Sequence, residues 1–217
     1  MIGLKTANKD AFNCVSQKIK RVGILGGTFN PPHMGHLFMA KRVLNELSLD
    51  EVTLLPVGDP PHKKDVYVES SFHRLNMTSL TCEGENGLFV SDIEALRPGY
   101  TYTVDTLRGL TEKCPETRFY YIIGEDTLFE IEHWREHETV FKMTAFVCVR
   151  RPGGREEELF KKISELKEKG AEIILSKYTG PDISSTEIRK RIEKEESTEG
   201  LLKRSVREYI DVHKLYR

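Results

Sequence analysis

The chain of 217 residues carries 33 lysines and arginines against 34 aspartates and glutamates, a formal net charge of −1 at pH 7. Its length suits one compact α/β domain, and its 38% of hydrophobic residues is typical of a globular protein. A near-neutral charge excludes a general electrostatic attraction to nucleic acid or to anionic membranes. No apolar run approaches the roughly 18 residues that a membrane span needs. We therefore expect neither a nucleic-acid partner nor a membrane partner.

The cysteines and the N-terminal segment favour the cytoplasm. The four cysteines are Cys14, Cys82, Cys114 and Cys148. They lie far apart and form no CxxC pair, which favours reduced side chains that pack as small hydrophobes. Residues 1–20 lack the continuous apolar region and the cleavage site of an export signal. We interpret residues 1–20 as an N-terminal extension and residues 21–217 as one domain.

Strand-like and helix-like patterns alternate along the rest of the chain. In chain order they predict a strand at 21–25, a helix at 34–47, a strand at 51–57, a helix at 72–82, a strand at 88–91 and a helix at 103–113. They then predict strands at 118–123 and 144–149, a helix at 156–169, a strand at 172–175 and helices at 187–192 and 206–212. This alternation predicts an α/β fold with a Rossmann-like, doubly wound, mainly parallel sheet and helices on both faces. Ligands bind such sheets beyond the carboxyl ends of the strands.

The loop after the first predicted strand reads GGTFNPPHMGH, from Gly26 to His36. It contains neither GxxxxGK[ST] nor GxGxxG, so a P-loop and a standard dinucleotide site are poor interpretations. Gly26 and Gly27 allow a sharp turn and a close approach of backbone N–H groups to a ligand. Asn30 is expected to cap the following helix, which tolerates a proline in its first turn.

The two histidines of this loop, His33 and His36, are expected about one turn apart at the N-terminus of that helix. This end of a helix carries a partial positive charge, which favours phosphate and opposes a metal cation. We therefore interpret both histidines as hydrogen-bond donors to phosphate oxygens. A metal site would need further ligands, for which His62 and His73 are candidates at no recognisable spacing. A third interpretation is a plain turn with histidines that only cap and pack.

A second segment with polar residues at a helix start reads GPDISSTEIRKR, residues 180–191. Ser184 or Ser185 can cap the helix, and its first-turn amides, with Arg189, would face an anion. Ser184 and Glu187 also spell a capping box, which would satisfy these amides internally. This segment alone does not decide between the two interpretations.

Together the two segments resemble a known superfamily. GTFNPPHMGH is similar to the GTFxPxHxGH signature of the nucleotidylyltransferases, in which the HxGH histidines stabilise the transferring α-phosphate. Residues 183–189 resemble the ISSTxIR motif, which holds the ATP triphosphate in that superfamily. The resemblance implies that His33 and His36 are catalytic and that Thr28 and the loop amides place the phosphates.

Further segments resemble bacterial nicotinate-nucleotide adenylyltransferases in particular. PPHKK at 60–64 is similar to their PPHK loop, TYTVDTL at 101–107 to their YTxxTL segment, and YIIGEDTL at 121–128 to their IIGxDxL segment. The terminal YIDVHKLYR at 209–217 matches their closing YIxxxxLYR. The resemblance implies ATP binding by Gly26, Gly27, Thr28, Phe29, His33, His36, Gly124, Asp126, Ile183, Ser184, Ser185, Thr186 and Arg189. It implies mononucleotide binding by Thr28, Asn30, Lys63, Thr103, Trp134 and Arg135.

Two neighbouring residues concern the pyridine ring of the implied mononucleotide. Trp134 lies where the family places an aromatic ring against nicotinate, although the only tryptophan of a protein is often a core residue. Arg135 follows where the family usually has tyrosine. The sequence shows no obvious charged partner for the pyridine carboxylate, so a preference for nicotinate rests on the resemblance.

The resemblance implies that nicotinate mononucleotide attacks the α-phosphorus of ATP and releases pyrophosphate, with Mg²⁺ neutralising the leaving group. The implied partners are these two small-molecule substrates. An adenylyltransferase that prefers nicotinamide mononucleotide and a nucleotide-binding sensor without turnover stay open as alternatives. A phosphopantetheine adenylyltransferase would be shorter, and the cysteine spacing disfavours a redox enzyme. The oligomeric state is open, a homo-oligomer included.

Overall fold

The computed structural model describes residue 12 and residues 20–58 and 67–217. Within them the strands are β1 (Lys20–Gly27), β2 (Glu51–Pro56), β3 (Leu88–Val90), β4 (Thr117–Gly124), β5 (Ala145–Arg150) and β6 (Glu172–Thr179). The helices are α1 (Met34–Glu46), α2 (Ser71–Cys82), α3 (Thr103–Lys113), α4 (Glu125–Glu130), α5 (His137–Met143), α6 (Glu156–Glu168), α7 (Ser185–Glu193) and α8 (Arg204–His213). In this part of the chain no helix is long and apolar enough to cross a membrane.

The strands form one six-stranded sheet in the order β3-β2-β1-β4-β5-β6. All five neighbouring pairs are parallel. This confirms the predicted Rossmann-like, doubly wound sheet. The strand order reverses between β1 and β4, where Ile24 pairs with Tyr121. A ligand crevice is expected there, beyond the carboxyl ends of these two strands.

The sheet is buried on both faces, which explains the near-continuous apolar runs of its strands. On one face, Ile24 and Phe146 pack in a core cluster with Leu107 of α3 and Leu159 of α6. On the other face, a second cluster packs helix α1 against the sheet. Its members include Leu54, Val147, and Leu37, Ala40 and Val43 of α1. A third cluster joins Met77 of α2, Ile188 of α7 and Val206 of α8.

The predicted elements are confirmed within one or two residues, with three differences. Helices α4 and α5 were not predicted. Each has only 6 or 7 residues, too few to show an amphipathic repeat. Strand β6 continues to Thr179 because, after a register irregularity, Thr179 pairs with Arg150.

Phe12 ties the predicted N-terminal extension to the core. Its side chain is 4% exposed and packs edge-to-face on Phe119, with ring centroids 6.3 Å apart. Its backbone N–H donates to Glu51 Oε1 over 3.3 Å, and Lys20 Nζ donates to Glu51 Oε2 over 2.6 Å. Lys20 and Glu51 are the first residues of β1 and β2. These contacts therefore lie at the amino ends of the strands, whereas the predicted crevice lies at their carboxyl ends.

The cysteines differ from the expectation at one position. Cys82 and Cys148 are buried free thiols, and burial raises the pKa of each to about 12. Cys114 is disulfide-bonded, so the prediction of a reduced side chain is wrong there. Cys14 lies outside the described residues. Disulfide formation depends on the distance between Cα atoms in the fold, which sequence spacing does not give.

Candidate active site

A cleft of about 560 Å³ opens at the carboxyl ends of β1 and β4, a volume typical of small-molecule sites. We call residues 26–36 the histidine loop and residues 180–191 the serine segment; they face each other across this cleft. The predicted site residues that line it are Gly26, Gly27, Thr28, His33, His36, Thr103, Gly124, Asp126, Trp134, Arg135, Ile183, Ser184, Ser185 and Thr186. Phe29, Asn30 and Arg189 are not among the lining residues. Lys63, with the loop at 59–66, lies outside the described residues.

The charge of the lining residues favours anions. Arg135, Arg150 and Arg151 line the cleft, whereas Asp126 is the one carboxylate among the described lining residues. Positive charge concentrated in a concave site attracts anionic ligands even when the whole chain is near neutral. The cleft therefore suits a phosphate-rich ligand.

Two glycines of the histidine loop are required by close packing. A Cβ on Gly26 would lie 2.1 Å from the Tyr121 hydroxyl oxygen, and one on Gly35 would lie 2.9 Å from His33 Nδ1. Real Cβ atoms do not approach this closely, so a larger residue would displace the Tyr121 hydroxyl or the imidazole. Both glycines thus fix the position of groups at the cleft.

The loop histidines form a stacked pair at the start of α1. The rings of His33 and His36 have centroids 3.7 Å apart and are inclined by 28°. The backbone N–H of His33 donates to His36 Nδ1 over 3.2 Å. Because Nδ1 accepts this bond, a neutral His36 carries its proton on Nε2 and can donate from there. Phe29, with φ of 49°, makes an edge-to-face contact with His36, and the two ring centroids are 4.9 Å apart.

His33 is buried and neutral. Its side chain is 6% exposed, and its Nδ1 has no hydrogen-bond partner among the described residues. Burial, with a smaller effect from the charge of Arg151, lowers the pKa of His33 to about 4. A buried ring nitrogen without a partner is costly and is uncommon outside functional sites. At pH 7 the imidazole therefore interacts with ligands as a neutral group.

Asn30 does not cap α1, and that prediction is wrong. Helix α1 begins at Met34, so the N-cap residue is His33. The carboxamide of Asn30 is buried instead: Oδ1 accepts from the Glu69 N–H (3.1 Å) and the Tyr216 hydroxyl (2.9 Å), and Nδ2 donates to the Tyr67 carbonyl (3.1 Å). Asn30 thus links the histidine loop to the C-terminus and to the approach to α2.

A buried arginine that sequence reasoning missed holds the same region. Arg74 is 1% exposed. Its guanidinium donates to the carbonyls of Glu69 (2.8 Å), Thr28 (2.8 Å), Val57 (2.7 Å) and Gly58 (2.6 Å). These bonds join the histidine loop, the end of β2 and the residues before α2. Arg74 lies three residues before the buried Met77, so its place on the buried face of a helix is the only sequence signal.

The serine segment caps α7 and contacts the histidine loop. Ser184 is the N-cap, and its Oγ accepts from the Glu187 N–H over 3.2 Å. The Glu187 carboxylate accepts from Arg191 Nε over 3.1 Å, so only half of the predicted capping box forms. Ser185 Oγ donates to the Pro31 carbonyl over 2.9 Å.

Arg189 joins the two segments behind the cleft. Its Nη1 donates to the Asn30 carbonyl over 2.8 Å, and its Nη2 donates to Thr186 Oγ1 over 3.3 Å. This placement explains why Arg189 is not a lining residue although the resemblance implies ATP binding. The serine segment is therefore oriented by the backbone of the histidine loop.

The residues after β4 and β5 meet at another rim of the cleft. Gly124 is the N-cap of α4, and Asp126 in the first turn forms an ion pair with Arg151, with 3.0 Å between Oδ2 and Nε. Arg151 follows β5 and was not predicted as a site residue. Its position at the carboxyl end of a parallel strand was the signal available in the sequence.

The remaining rim combines aromatic and polar groups. Thr103 begins α3 and is hydrogen-bonded to Tyr121. Trp134 packs edge-to-face on Tyr121, with centroids 5.6 Å apart, and also lines the cleft. Trp134 therefore fits both interpretations: it packs as a core residue, and it is available to contact a pyridine ring in the cleft. The Arg135 guanidinium lies over the Tyr102 ring, 4.8 Å from its centroid.

The metal-site alternative finds no cluster to support it in the part of the chain described. No group of three His, Cys, Asp or Glu side chains there is arranged to hold a metal ion. His73 Nδ1 is instead 2.9 Å from the Tyr209 hydroxyl, in a contact between α2 and α8. His62 lies outside the described residues.

Comparison with known proteins agrees with this geometry. A family model described as Cytidylyltransferase-like matches residues 24–191. A probable nicotinate-nucleotide adenylyltransferase of Lachnoclostridium phytofermentans is 38% identical over 199 residues, covering 91% of this chain and all of that protein. A protein of the same name from Desulfitobacterium hafniense is 39% identical over 202 residues, covering 91% and 96%.

Solved structures share the fold. The Plasmodium falciparum nicotinic acid mononucleotide adenylyltransferase complexed with NaAD has a TM-score of 0.75 at 24% identity, covering 91% of this chain and 97% of that chain. Since the sequence relatives match almost end to end at nearly 40% identity, they assign the family directly. This chain belongs to the nicotinate-nucleotide adenylyltransferase family of nucleotidyltransferases.

Proposed function

We propose that this enzyme transfers the adenylyl group of ATP to nicotinate mononucleotide, which gives nicotinate adenine dinucleotide and pyrophosphate in NAD biosynthesis. The observation that carries the proposal is the stacked pair of His33 and His36 at the switch point of the sheet, in a cleft rich in arginine. The names of the sequence relatives support the choice of acceptor.

We assign ATP to the part of the cleft between the histidine loop and the serine segment. Loop amides and Thr28 would hold the phosphates, with the Ser184–Thr186 turn on the opposite side, while Gly124 and Asp126 would contact the nucleoside. Arg189 would orient the serine segment through its bond to the Asn30 carbonyl. The mononucleotide would lie toward Thr103, Trp134 and Arg135. Lys63 is a further candidate for binding it, on the resemblance alone.

The reaction needs no nucleophile from the protein because the acceptor phosphate is already anionic. An oxygen of the mononucleotide phosphate forms a bond to the α-phosphorus of ATP, and the bond from that phosphorus to the bridging oxygen of pyrophosphate breaks. His36 Nε2–H and the His33 ring would donate to the α-phosphate oxygens as their charge grows. Donors that are already in place at a desolvated site stabilise such charge without reorganisation. Catalysis is then positioning plus charge stabilisation.

A divalent metal accompanies ATP in nucleotidyltransferases generally, and we propose Mg²⁺ here. Mg²⁺ keeps several waters and binds substrate phosphates with one or two carboxylates rather than an all-protein cage. The described cleft lining, with Asp126 as its one carboxylate, fits a metal that enters with ATP. The bound ion would neutralise the leaving pyrophosphate.

The experiment that tests the function is pyrophosphate release from ATP and Mg²⁺, with nicotinate or nicotinamide mononucleotide offered in parallel. Release with the nicotinate form supports the proposal, and faster release with the nicotinamide form would identify nicotinamide mononucleotide as the acceptor instead. ATP binding without pyrophosphate release with either acceptor would favour a sensor.

We further propose a cytoplasmic protein in which residues 21–217 form one domain and residues 1–20 an N-terminal extension.

A further inference from the structure

Arg135 is a charged residue of the cleft that contacts Tyr102, the residue before the first residue of α3. It lines the cleft together with Trp134, Tyr102 and Thr103. Its guanidinium lies 4.8 Å from the centroid of the Tyr102 ring, a cation–π contact that restrains an otherwise mobile side chain. Tyr102 is the N-cap of α3 and offers no side-chain cap. The contact therefore holds the guanidinium beside the uncapped first turn of that helix.

Within the described part of the chain, the Arg135 guanidinium is only loosely paired with a carboxylate. The nearest carboxylate among the described residues is Glu136, whose Oε1 is 3.9 Å from Arg135 Nε, beyond hydrogen-bond distance. The other oxygen of Glu136 accepts from Arg108. As far as the described residues show, Arg135 thus keeps its guanidinium donors available to a ligand.

The identity of the acceptor gives this charge a use. Nicotinate and nicotinamide mononucleotide differ only in a carboxylate against a carboxamide on the pyridine ring. Backbone N–H groups at the start of α3 can donate to a carbonyl oxygen of either one. A guanidinium distinguishes them, because it forms a paired, charge-assisted interaction with a carboxylate, whereas a carboxamide is neutral and has one acceptor oxygen.

We propose that Arg135 is a specificity-determining residue that selects an acceptor with a pyridine carboxylate over one with a carboxamide. This inference rests on the proposed function, because it concerns the acceptor end of the same cleft. It also assigns a role to the position where the family usually has tyrosine. Because the pyridine ring is remote from the reacting phosphate, the effect falls on acceptor binding and leaves the chemical step unchanged.

The test compares wild type with Arg135→Gln, Arg135→Lys and the control Arg108→Gln. Arg108→Gln removes the same charge from the other side of Glu136, outside the cleft. We expect Arg135→Gln to raise KM for nicotinate mononucleotide about tenfold, the effect of one charge-assisted bond. Its kcat should stay within about twofold of wild type, because the lost interaction binds the ground state and the transition state equally. Its KM for the nicotinamide form should also stay within about twofold, because the carboxamide is neutral. Arg135→Lys keeps the charge but not the paired geometry, so it should keep only part of the discrimination, and Arg108→Gln keeps all of it.

An unchanged ratio of kcat/KM for the two acceptors in Arg135→Gln would overturn the inference while the proposed function stands. Calorimetric titration of nicotinate mononucleotide into wild type and Arg135→Gln reads the same residue without turnover. A Kd about tenfold weaker in the variant supports the inference even if wild type releases no pyrophosphate. Equal Kd values would overturn it, so failure of the inference and failure of the proposed function are distinguishable.

Discussion

The histidine loop and the serine segment face the same cleft but are held in opposite ways. The histidine loop is mostly buried and is fixed from behind by Arg74 and by Tyr216 near the C-terminus. The serine segment is half-exposed, and Ser185 and Arg189 fasten it to carbonyls of the histidine loop. The core thus positions the histidine loop, and the histidine loop positions the serine segment. Damage to the histidine loop should therefore spread to the serine segment, and damage to the serine segment should stay local.

The largest effect is expected for His36→Ala. It removes the Nε2–H donor that the bond from the His33 N–H to Nδ1 orients. We expect kcat to fall about 10³-fold, as on loss of one preorganised donor to a developing oxyanion. Circular dichroism and the melting temperature should stay near those of wild type, because the side chain is only half-buried. A kcat within threefold of wild type would remove His36 from the catalytic machinery.

Arg74→Met tests the support behind the histidine loop. It leaves four buried or partly buried backbone carbonyls without the donors of a fully buried guanidinium. We expect urea denaturation to show a loss of about 3–5 kcal/mol in the free energy of unfolding, because buried acceptors are left unpaired.

Arg189→Met is the matched control for that variant. It removes an arginine that is only partly buried and that bonds one carbonyl and one hydroxyl. Its expected loss is about 1 kcal/mol. Equal losses in the two variants would contradict the view that the two segments are held in opposite ways.

The buried His33 gives the histidine loop a pH dependence. Burial lowers the pKa of His33 to about 4 from the ordinary histidine value of about 6.5, so the unfolded chain binds the proton more tightly. The contribution of neutral His33 to the free energy of unfolding is complete above pH 6.5 and is lost as the pH falls toward 4. At pH 4.5 the loss should be about 2–3 kcal/mol.

Urea denaturation of wild type and His33→Gln at pH 7 and pH 4.5 measures this contribution. Glutamine does not titrate, so the stability of the variant should fall by about 2 kcal/mol less than that of wild type between the two pH values. Parallel pH profiles would show that His33 is not buried in its neutral form.

The same contrast explains what the sequence could predict. Helix α3 was predicted with its observed bounds because amphipathic spacing runs through all 11 of its residues. The histidines and serines were predicted as site residues because each set lies in one contiguous motif. Arg74 and Tyr216 were missed as support because their bonds join residues 46 and 186 positions apart. The topology of the sheet brings such distant residues together. Local patterns in a single sequence do not predict these contacts.

Ser184→Ala should produce the smallest effect and tests how locally the serine segment acts. The Oγ of Ser184 accepts from the Glu187 N–H, and the reciprocal arm of the capping box is absent. Loss of this one bond should reduce the free energy of unfolding by about 1 kcal/mol, a typical N-cap value. KM for ATP should rise several-fold as the first turn of α7 frays, whereas kcat should stay near wild type because the histidine pair is untouched. Steady-state kinetics at varied ATP measures both parameters. A fall in kcat comparable to that of His36→Ala would show that the serine segment positions the histidine loop, the reverse of the order inferred from the hydrogen bonds.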